Sequence, residues 1–167
     1  MAADERMVTL LGLLDLSAAF DCVDHSKLLD RLWSAVGPSD SVLDWVRSFL
    51  TDRSQQIAYS GQLSVVQPVL FGVPQGSVLG PLLYLLHTAE LTSVVARDGL
   101  NLHQYADDTQ VYVSTSVRDA VAEAAVARLT ACLVDIETWL KACRLRLNPT
   151  KTQVMWLGSP QQLQRCQ

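Results

Sequence analysis

Two adjacent carboxylates sit inside an otherwise apolar, strand-forming stretch, and few local folds accommodate that. The segment is Tyr105-Ala106-Asp107-Asp108. Leu100, Leu102 and Tyr105 lead into it, and Val111, Tyr112 and Val113 lead out. The flanks read as two short strands, which places the acidic pair at or near a hairpin turn. Two-residue hairpin turns favour Asn-Gly, Asp-Gly or a leading Gly, because φ must be positive there. This turn contains no glycine. Two unit charges about 4 Å apart at an effective dielectric near 20 repel by roughly 4 kcal/mol, and a cation reverses the sign of that cost. An isolated Asp-Asp is usually a solvated acidic turn, so the case for a cation rests on the remainder of the chain.

The 167 residues suit one domain with a sizeable core. Hydrophobic residues make up 49% and charged residues 18%, a globular composition. A net charge of -4 supplies no overall basic field. That argues against a complete nucleic-acid-binding protein and is compatible with a catalytic core whose basic portions lie elsewhere. Cys22, Cys132, Cys143 and Cys166 are scattered without zinc spacing, so free thiols in a reducing compartment are expected. Met1 to Arg6 is polar and acidic, and the apolar run Val8 to Leu14 is short and followed by charge, so no secretory signal is read. Val78 to Leu86 is the nearest approach to a membrane span and is too short. An intracellular protein with no membrane partner is expected.

Met7 to Leu16 is an apolar run ending at Asp15 and suits a buried strand. Ser26 to Val36 has Leu28, Leu29, Leu32 and Trp33 at helical spacing, stopped by Gly37-Pro38. Asp40 to Leu50 is a second amphipathic helix with Leu43, Val46 and Leu50 on one face, capped by Ser39 or Asp40. Gln55 to Val69 reads as a hairpin around Ser60-Gly61. A loop spans Gly72 to Gly80, followed by a helix over about Leu82 to Val95. After the acidic hairpin comes the longest helix, about Val117 to Ala142, opened by a Ser116-x-x-Asp119 capping box. Its core stripe is Val121, Ala125, Leu129, Leu133, Ile136 and Leu140. Asn148-Pro149 turns the chain into a last strand, Thr152 to Leu157. Irregular mixing of strands and helices predicts an α+β fold, an antiparallel sheet with helices on one face.

A second acidic site lies in Leu13-Leu14-Asp15-Leu16-Ser17-Ala18-Ala19-Phe20-Asp21. An Asp closing an apolar strand is costly to bury unless paired or metal-bound, and alone it would be a cap or an ion-pair partner. Two strands delivering carboxylates to one sheet edge change that. Hard oxygen ligands with room for water suit Mg²⁺, and two such ions about 3.5–4 Å apart clamp phosphoryl transfer in polymerases and nucleases. The third element is Phe71-Gly72-Val73-Pro74-Gln75-Gly76-Ser77-Val78-Leu79-Gly80-Pro81, whose glycines permit close backbone approach and whose amides precede a helix. The fourth, Leu145-Arg146-Leu147-Asn148-Pro149-Thr150-Lys151-Thr152, delivers a lysine before a strand.

In this order and spacing the four segments resemble the core motifs of reverse transcriptases, in particular those of non-LTR (LINE-type) retrotransposons. "LLDLSAAFDCVDH", "GVPQGSVLGPLLY", "YADDTQVYVS" and "LRLNPTKT" carry the resemblance, supported by "WVRSFLTDRSQ" and "CLVDIETWL". It implies a polymerase palm with a ferredoxin-like antiparallel core. It also implies RNA-templated extension of a DNA primer with deoxynucleoside triphosphates and two Mg²⁺ ions, Mn²⁺ being an alternative. By the same resemblance Asp15 binds both metals, Leu16 lends a backbone carbonyl, Asp107 ligates directly and Asp108 more peripherally. Phe20 falls where an aromatic blocks the ribose 2′-hydroxyl, and Ala106 where a small residue lies under the primer end. Gln75 and Gly76 line the incoming nucleotide and template base, and Lys151 is the candidate acid for pyrophosphate.

His25, His87 and His103 read as structural or surface residues, and Trp33, Trp45, Trp139 and Trp156 as core anchors. Asp21 and Asp24 are expected to orient the strand–helix corner. Gln153 and His87 depart from the family pattern, which favours Glu and an aromatic there. The resemblance leaves room for only a small part of the fingers and none for a thumb or endonuclease. A partial reverse transcriptase domain over residues 1–167 is therefore expected, working with other regions of a longer polyprotein. The alternative is an inactive remnant serving as a binding module. The family implies a nuclear location, although no clear basic import signal is visible.

Overall fold

Even-numbered residues of the first strand are buried and odd-numbered ones are half-buried, so the expected buried strand is covered on one face and partly open on the other. The computed structural model describes residues 7–37, 39–116 and 119–164. Along the chain run β1 (Met7–Leu14), β2 (Leu16–Ser17), α1 (His25–Val36), α2 (Asp40–Leu50), β3 (Ser54–Gln55), β4 (Ala58–Tyr59), β5 (Gln62–Leu63) and β6 (Gln67–Pro68). Then come α3 (Leu79–Thr88), α4 (Leu91–Arg97), β7 (Asn101–Tyr105), β8 (Asp108–Ser116), α5 (Asp119–Ala142), β9 (Arg146–Leu147), β10 (Gln153–Leu157) and α6 (Pro160–Leu163).

The principal sheet has the order β10-β1-β8-β7, with every neighbouring pair antiparallel. Its strands in sequence order therefore lie fourth, first, third, second, the ferredoxin-like arrangement. Val8, Leu10 and Leu14 of β1 and Thr109, Val111, Val113 and Thr115 of β8 face the helices. They meet Ala122, Ala125, Leu129, Cys132, Ile136 and Leu140 of α5. The expected stripe is thus correct in hand but shifted at its start: Val121 is exposed and the smaller Ala122 is buried. A small side chain lets the helix approach the sheet where a valine would hold it off.

Local signals explain the helix ends. Asp24 accepts from the Lys27 amide at 3.1 Å and starts α1. Gly37 ends it with φ +55, its amide bonded to the Trp33 carbonyl at 3.0 Å. Ser39 is the cap position of α2, but its hydroxyl meets Ser41 rather than the backbone. The capping box proposed for α5 runs through residues 117 and 118, which lie outside the described residues. The hairpin around Ser60-Gly61 forms as two short ladders, β4–β5 and β3–β6.

Two expectations fail. The helix over Leu82 to Val95 is two helices, α3 and α4, broken at Ala89-Glu90. At the end of the first, Thr88 bonds its hydroxyl back to the Tyr84 carbonyl at 3.0 Å, and α4 turns to pack on α5 and β7. By length and composition Leu79–Arg97 is apolar enough to cross a membrane. Here Leu83, Tyr84, Leu91, Val94 and Val95 from it are buried in the core. Trp33 and Trp45 are 54% and 55% exposed rather than core anchors. The helices bury Leu28, Leu32, Leu43, Val46 and Leu50 instead, leaving the indoles on their outer faces. Trp139 and Trp156 are half-buried against the core.

Candidate active site

The β7–β8 register pairs Tyr105 with Asp108, leaving Ala106 and Asp107 as a two-residue turn. Ala106 supplies the positive φ, +53, a conformation costing a non-glycine residue about 1–2 kcal/mol. The β1–β8 register ends at Leu14 opposite Thr109, so Asp15 emerges beside the start of β8. One strand and one hairpin thus bring Asp15, Asp107 and Asp108 to one end of the sheet.

Two pockets lie at this end of the sheet. Asp15 and Asp108 line a pocket of about 310 Å³ with Thr109, Gln110, Lys151 and Gln153. Asp107 lines another of about 450 Å³ with Leu16, Phe20, Gln75, Gly76 and Ser77. Asp15 lines the first pocket and Leu16 the second; Asp108, opening β8, lines the first, and Asp107, in the turn, lines the second. Asp15 thus shares a pocket lining with Asp108, and Asp107 shares one with Phe20 and Gln75. Among the described residues no group of three His, Cys, Asp or Glu side chains is set to hold a metal ion. The donors are nonetheless of the kind Mg²⁺ takes, carboxylates and a backbone carbonyl. The Asn148 amide donates to the Asp15 carbonyl at 2.8 Å. Ladder alternation then turns the Leu16 backbone groups away from β9, toward the side of β8.

Lys151 reaches this end from the turn before β10, where Asn148 accepts from the Thr150 amide and hydroxyl at 3.2 and 2.7 Å. Its Nζ lies 3.8 Å from Asp15 Oδ2. The lysine side chain is 69% exposed, so the pair contributes at most about 1 kcal/mol and leaves Lys151 able to meet another anion.

Phe20 opens a 3-10 turn, Phe20–Cys22, and its ring lies 5.1 Å from that of Tyr84. The loop carrying Gln75 is clamped onto this turn. The Gly72 amide bonds to the Val23 carbonyl and the Val73 amide to the Phe20 carbonyl, each at 2.8 Å. Gly72 has φ +85, and a Cβ there would fall 2.9 Å from backbone atoms of Phe20 and Asp21, so only glycine fits. His25 Nε2 donates to the Gly72 carbonyl at 2.8 Å, and Gln75 Nε2 donates to Asp21 Oδ1 at 3.2 Å. A further pocket of about 640 Å³ lies across Gln75 and Asp21, lined also by Arg53 and Phe71.

Tyr84 escaped the sequence reading because nothing in "GPLLYLLH" distinguishes it from a core aromatic. Burial first, then the Asp107 and Cys143 charges, push its phenol above the ordinary tyrosine range. His87 on the same helix is pushed down to about 4, by burial first and the Arg31 charge second.

The family described as Reverse transcriptase (RNA-dependent DNA polymerase) matches residues 1–164. The chain is 31% identical over 156 residues to the RNA-directed DNA polymerase from mobile element jockey of Drosophila melanogaster, covering 90% of this chain and 16% of that protein. It is 33% identical over 158 residues to the probable RNA-directed DNA polymerase from transposon BS of the same species, covering 90% of this chain and 17% of the relative. Similar folds include apo telomerase of Candida tropicalis truncated from its C-terminal domain, with TM-score 0.64 and 13% identity over 90% of this chain and 31% of that one. Telomerase of Candida albicans in complex with a fragment of telomeric RNA gives 0.65 and 14% over 89% and 28%. With strands, turn and motif loop placed as described and the family match spanning nearly every residue, this chain belongs to the reverse transcriptase (RNA-dependent DNA polymerase) family.

Proposed function

We propose that this chain is the palm of an RNA-directed DNA polymerase that extends a DNA primer on an RNA template during movement of a non-LTR element. One observation carries the reading. β1 and the β7–β8 turn deliver Asp15, Asp107 and Asp108 to one end of an antiparallel sheet, beside Phe20, Gln75 and Gly76. Asp15, Asp107, Asp108 and the Leu16 carbonyl would hold two divalent ions, Mg²⁺ or Mn²⁺. Bound there, such ions supply charge neutralisation at the attacking and leaving oxygens.

The chain's own residues position the reactants. Phe20 walls the pocket where a ribose 2′-hydroxyl would enter, the atom that separates the two sugars. Gln75 and Gly76 line the nucleotide and template base, Ala106 leaves room for the primer end, and Lys151 gives a proton to the departing pyrophosphate. Affinity for nucleic acid needs phosphate contacts, which a chain of net charge -4 supplies sparsely. The chain spans about one sixth of the length of the relatives it matches. Fingers, thumb and endonuclease regions of a longer polyprotein, acting in the nucleus, belong to the same proposal.

A second reading is an inactive remnant acting as a binding module. Ile57, Tyr59, Leu63, Val65 and Val66 stand exposed around the two small ladders and favour it. Primer extension separates the two. The chain, expressed with its in-frame flanking sequence, is given an RNA template, a DNA primer and Mg²⁺. Incorporation is expected, falling at least 100-fold in Asp107→Asn. Equal incorporation by that variant refutes the metal assignment, and no incorporation by the parent refutes the polymerase reading. The 167-residue chain alone is expected to extend little or not at all.

A further inference from the structure

Tyr84 heads the fully buried side chains by size, at 0% exposure, and its hydroxyl has no hydrogen-bond partner among the described residues. Buried polar atoms are almost always paired, and each orphan calls for an explanation. Phenylalanine would fill the same space without burying a hydroxyl. The surroundings supply a reason for the extra oxygen. The ring lies 5.1 Å from Phe20 at 39°, and the Asp107 charge adds to burial in keeping the phenol protonated. A buried phenol without a partner among the described residues is a donor with an acceptor still to find.

The helix that carries Tyr84 is fastened to the acidic turn by a short polar chain. Thr88 Oγ1 donates to the Tyr84 carbonyl at 3.0 Å. Gln104 Nε2 donates to Thr88 Oγ1 and Thr109 Oγ1 at 3.4 Å each, and Thr109 Oγ1 donates to the Asp107 carbonyl at 3.4 Å. Thr88 and Thr109 are buried. Movement of α3 is therefore felt at the turn, and one residue of α3 touches Phe20.

We propose that Tyr84 is a positioning residue joining the two halves of the site: its ring fixes the Phe20 ring that reads the sugar, and its hydroxyl is the donor reserved for the Asp107 carboxylate. The proposal rests on the polymerase reading above. It assigns the ring to sugar selectivity and the hydroxyl to turnover, so the two parts separate by substitution.

The test uses the extended protein and compares a deoxynucleotide with its matched ribonucleotide on one primer–template. Tyr84→Phe keeps the ring; sugar discrimination is expected within twofold of the parent, with kcat down 3- to 10-fold and KM unchanged. Its melting temperature is expected to equal or exceed the parent's, which separates lost turnover from a lost fold. Tyr84→Leu removes the flat ring and is expected to cut discrimination at least tenfold, through a lower ribonucleotide KM. Tyr84→Met fills more of the volume and carries the same expectation should the leucine variant not fold. Retained discrimination in whichever of the two folds, or full kcat in Tyr84→Phe, overturns the proposal alone. A parent that extends no primer removes the polymerase reading and this proposal with it.

Discussion

Gln75 reaches back 54 residues along the chain to Asp21, its Nε2 donating to Oδ1 at 3.2 Å. The bond fixes which end of the amide is free for the pocket shared with Phe20, because the nitrogen is taken by Asp21 and the oxygen is left. It crosses the same seam as the Gly72–Val23 and Val73–Phe20 backbone bonds, so Phe20 and Gln75 belong to one rigid corner. Both partners are exposed, and the coupling is expected at about 1 kcal/mol rather than the larger value of a buried charged bond. Asp21→Ala and Gln75→Ala should each raise KM for the deoxynucleotide about 5-fold, with the double variant no worse than Gln75→Ala. Asp21→Asn, which keeps an acceptor, should restore most of the loss. Fully additive effects would show that the two side chains act separately.

Acid should unfold this chain through His87. The residue is 0% exposed, and burial first and the Arg31 charge second lower its value from 6.5 to about 4. A folded-state value below the unfolded one means the unfolded chain takes up the proton first. The stability is complete above pH 6.5 and is lost as pH falls toward 4, by about 3 kcal/mol at the lower end. Urea unfolding followed by circular dichroism at pH 7.5 and 4.5 measures it. His87→Phe should flatten this part of the acid limb while leaving the neutral-pH value within about 1.5 kcal/mol. An unchanged pH slope in that variant would place the acid sensitivity elsewhere.

The architecture was legible where the chain announces itself locally. Alternation in β1 and β8, the Gly37 stop, the Asp24 corner and the acidic turn all follow from periods and caps within a dozen residues. Trp33 misled because an indole counts as hydrophobic wherever it falls, while burial depends on which face α2 covers. The break between α3 and α4 was invisible because no proline or glycine marks it. The motifs named the site residues, but their grouping required coordinates. The division of Asp107 from Asp108 needed them too, because Asp107 lies in the turn and Asp108 opens β8. The Gln75–Asp21 bond and the Tyr84–Phe20 contact join residues 54 and 64 positions apart, and no local signal records such pairings.

Ala106 offers the most direct test of the turn itself. Its φ of +53 places a Cβ where L-residues are crowded, and the strain sits between the end of β7 and Asp107; such strain is often retained at functional sites. Glycine relieves the crowding but gives the unfolded chain more freedom. Ala106→Gly should therefore stabilise the 167-residue chain by only about 0.5 kcal/mol in urea unfolding. A β-branched residue is worse in that region, so Ala106→Val should destabilise by about 1–2 kcal/mol. In the extended protein Ala106→Gly should keep primer extension within a few-fold. Ala106→Val should lose more activity than its stability change explains, because its methyl groups project toward the primer end. A valine variant as stable as the parent would mean that the turn does not hold residue 106 in the left-handed conformation, and the placement of Asp107 would have to be redrawn.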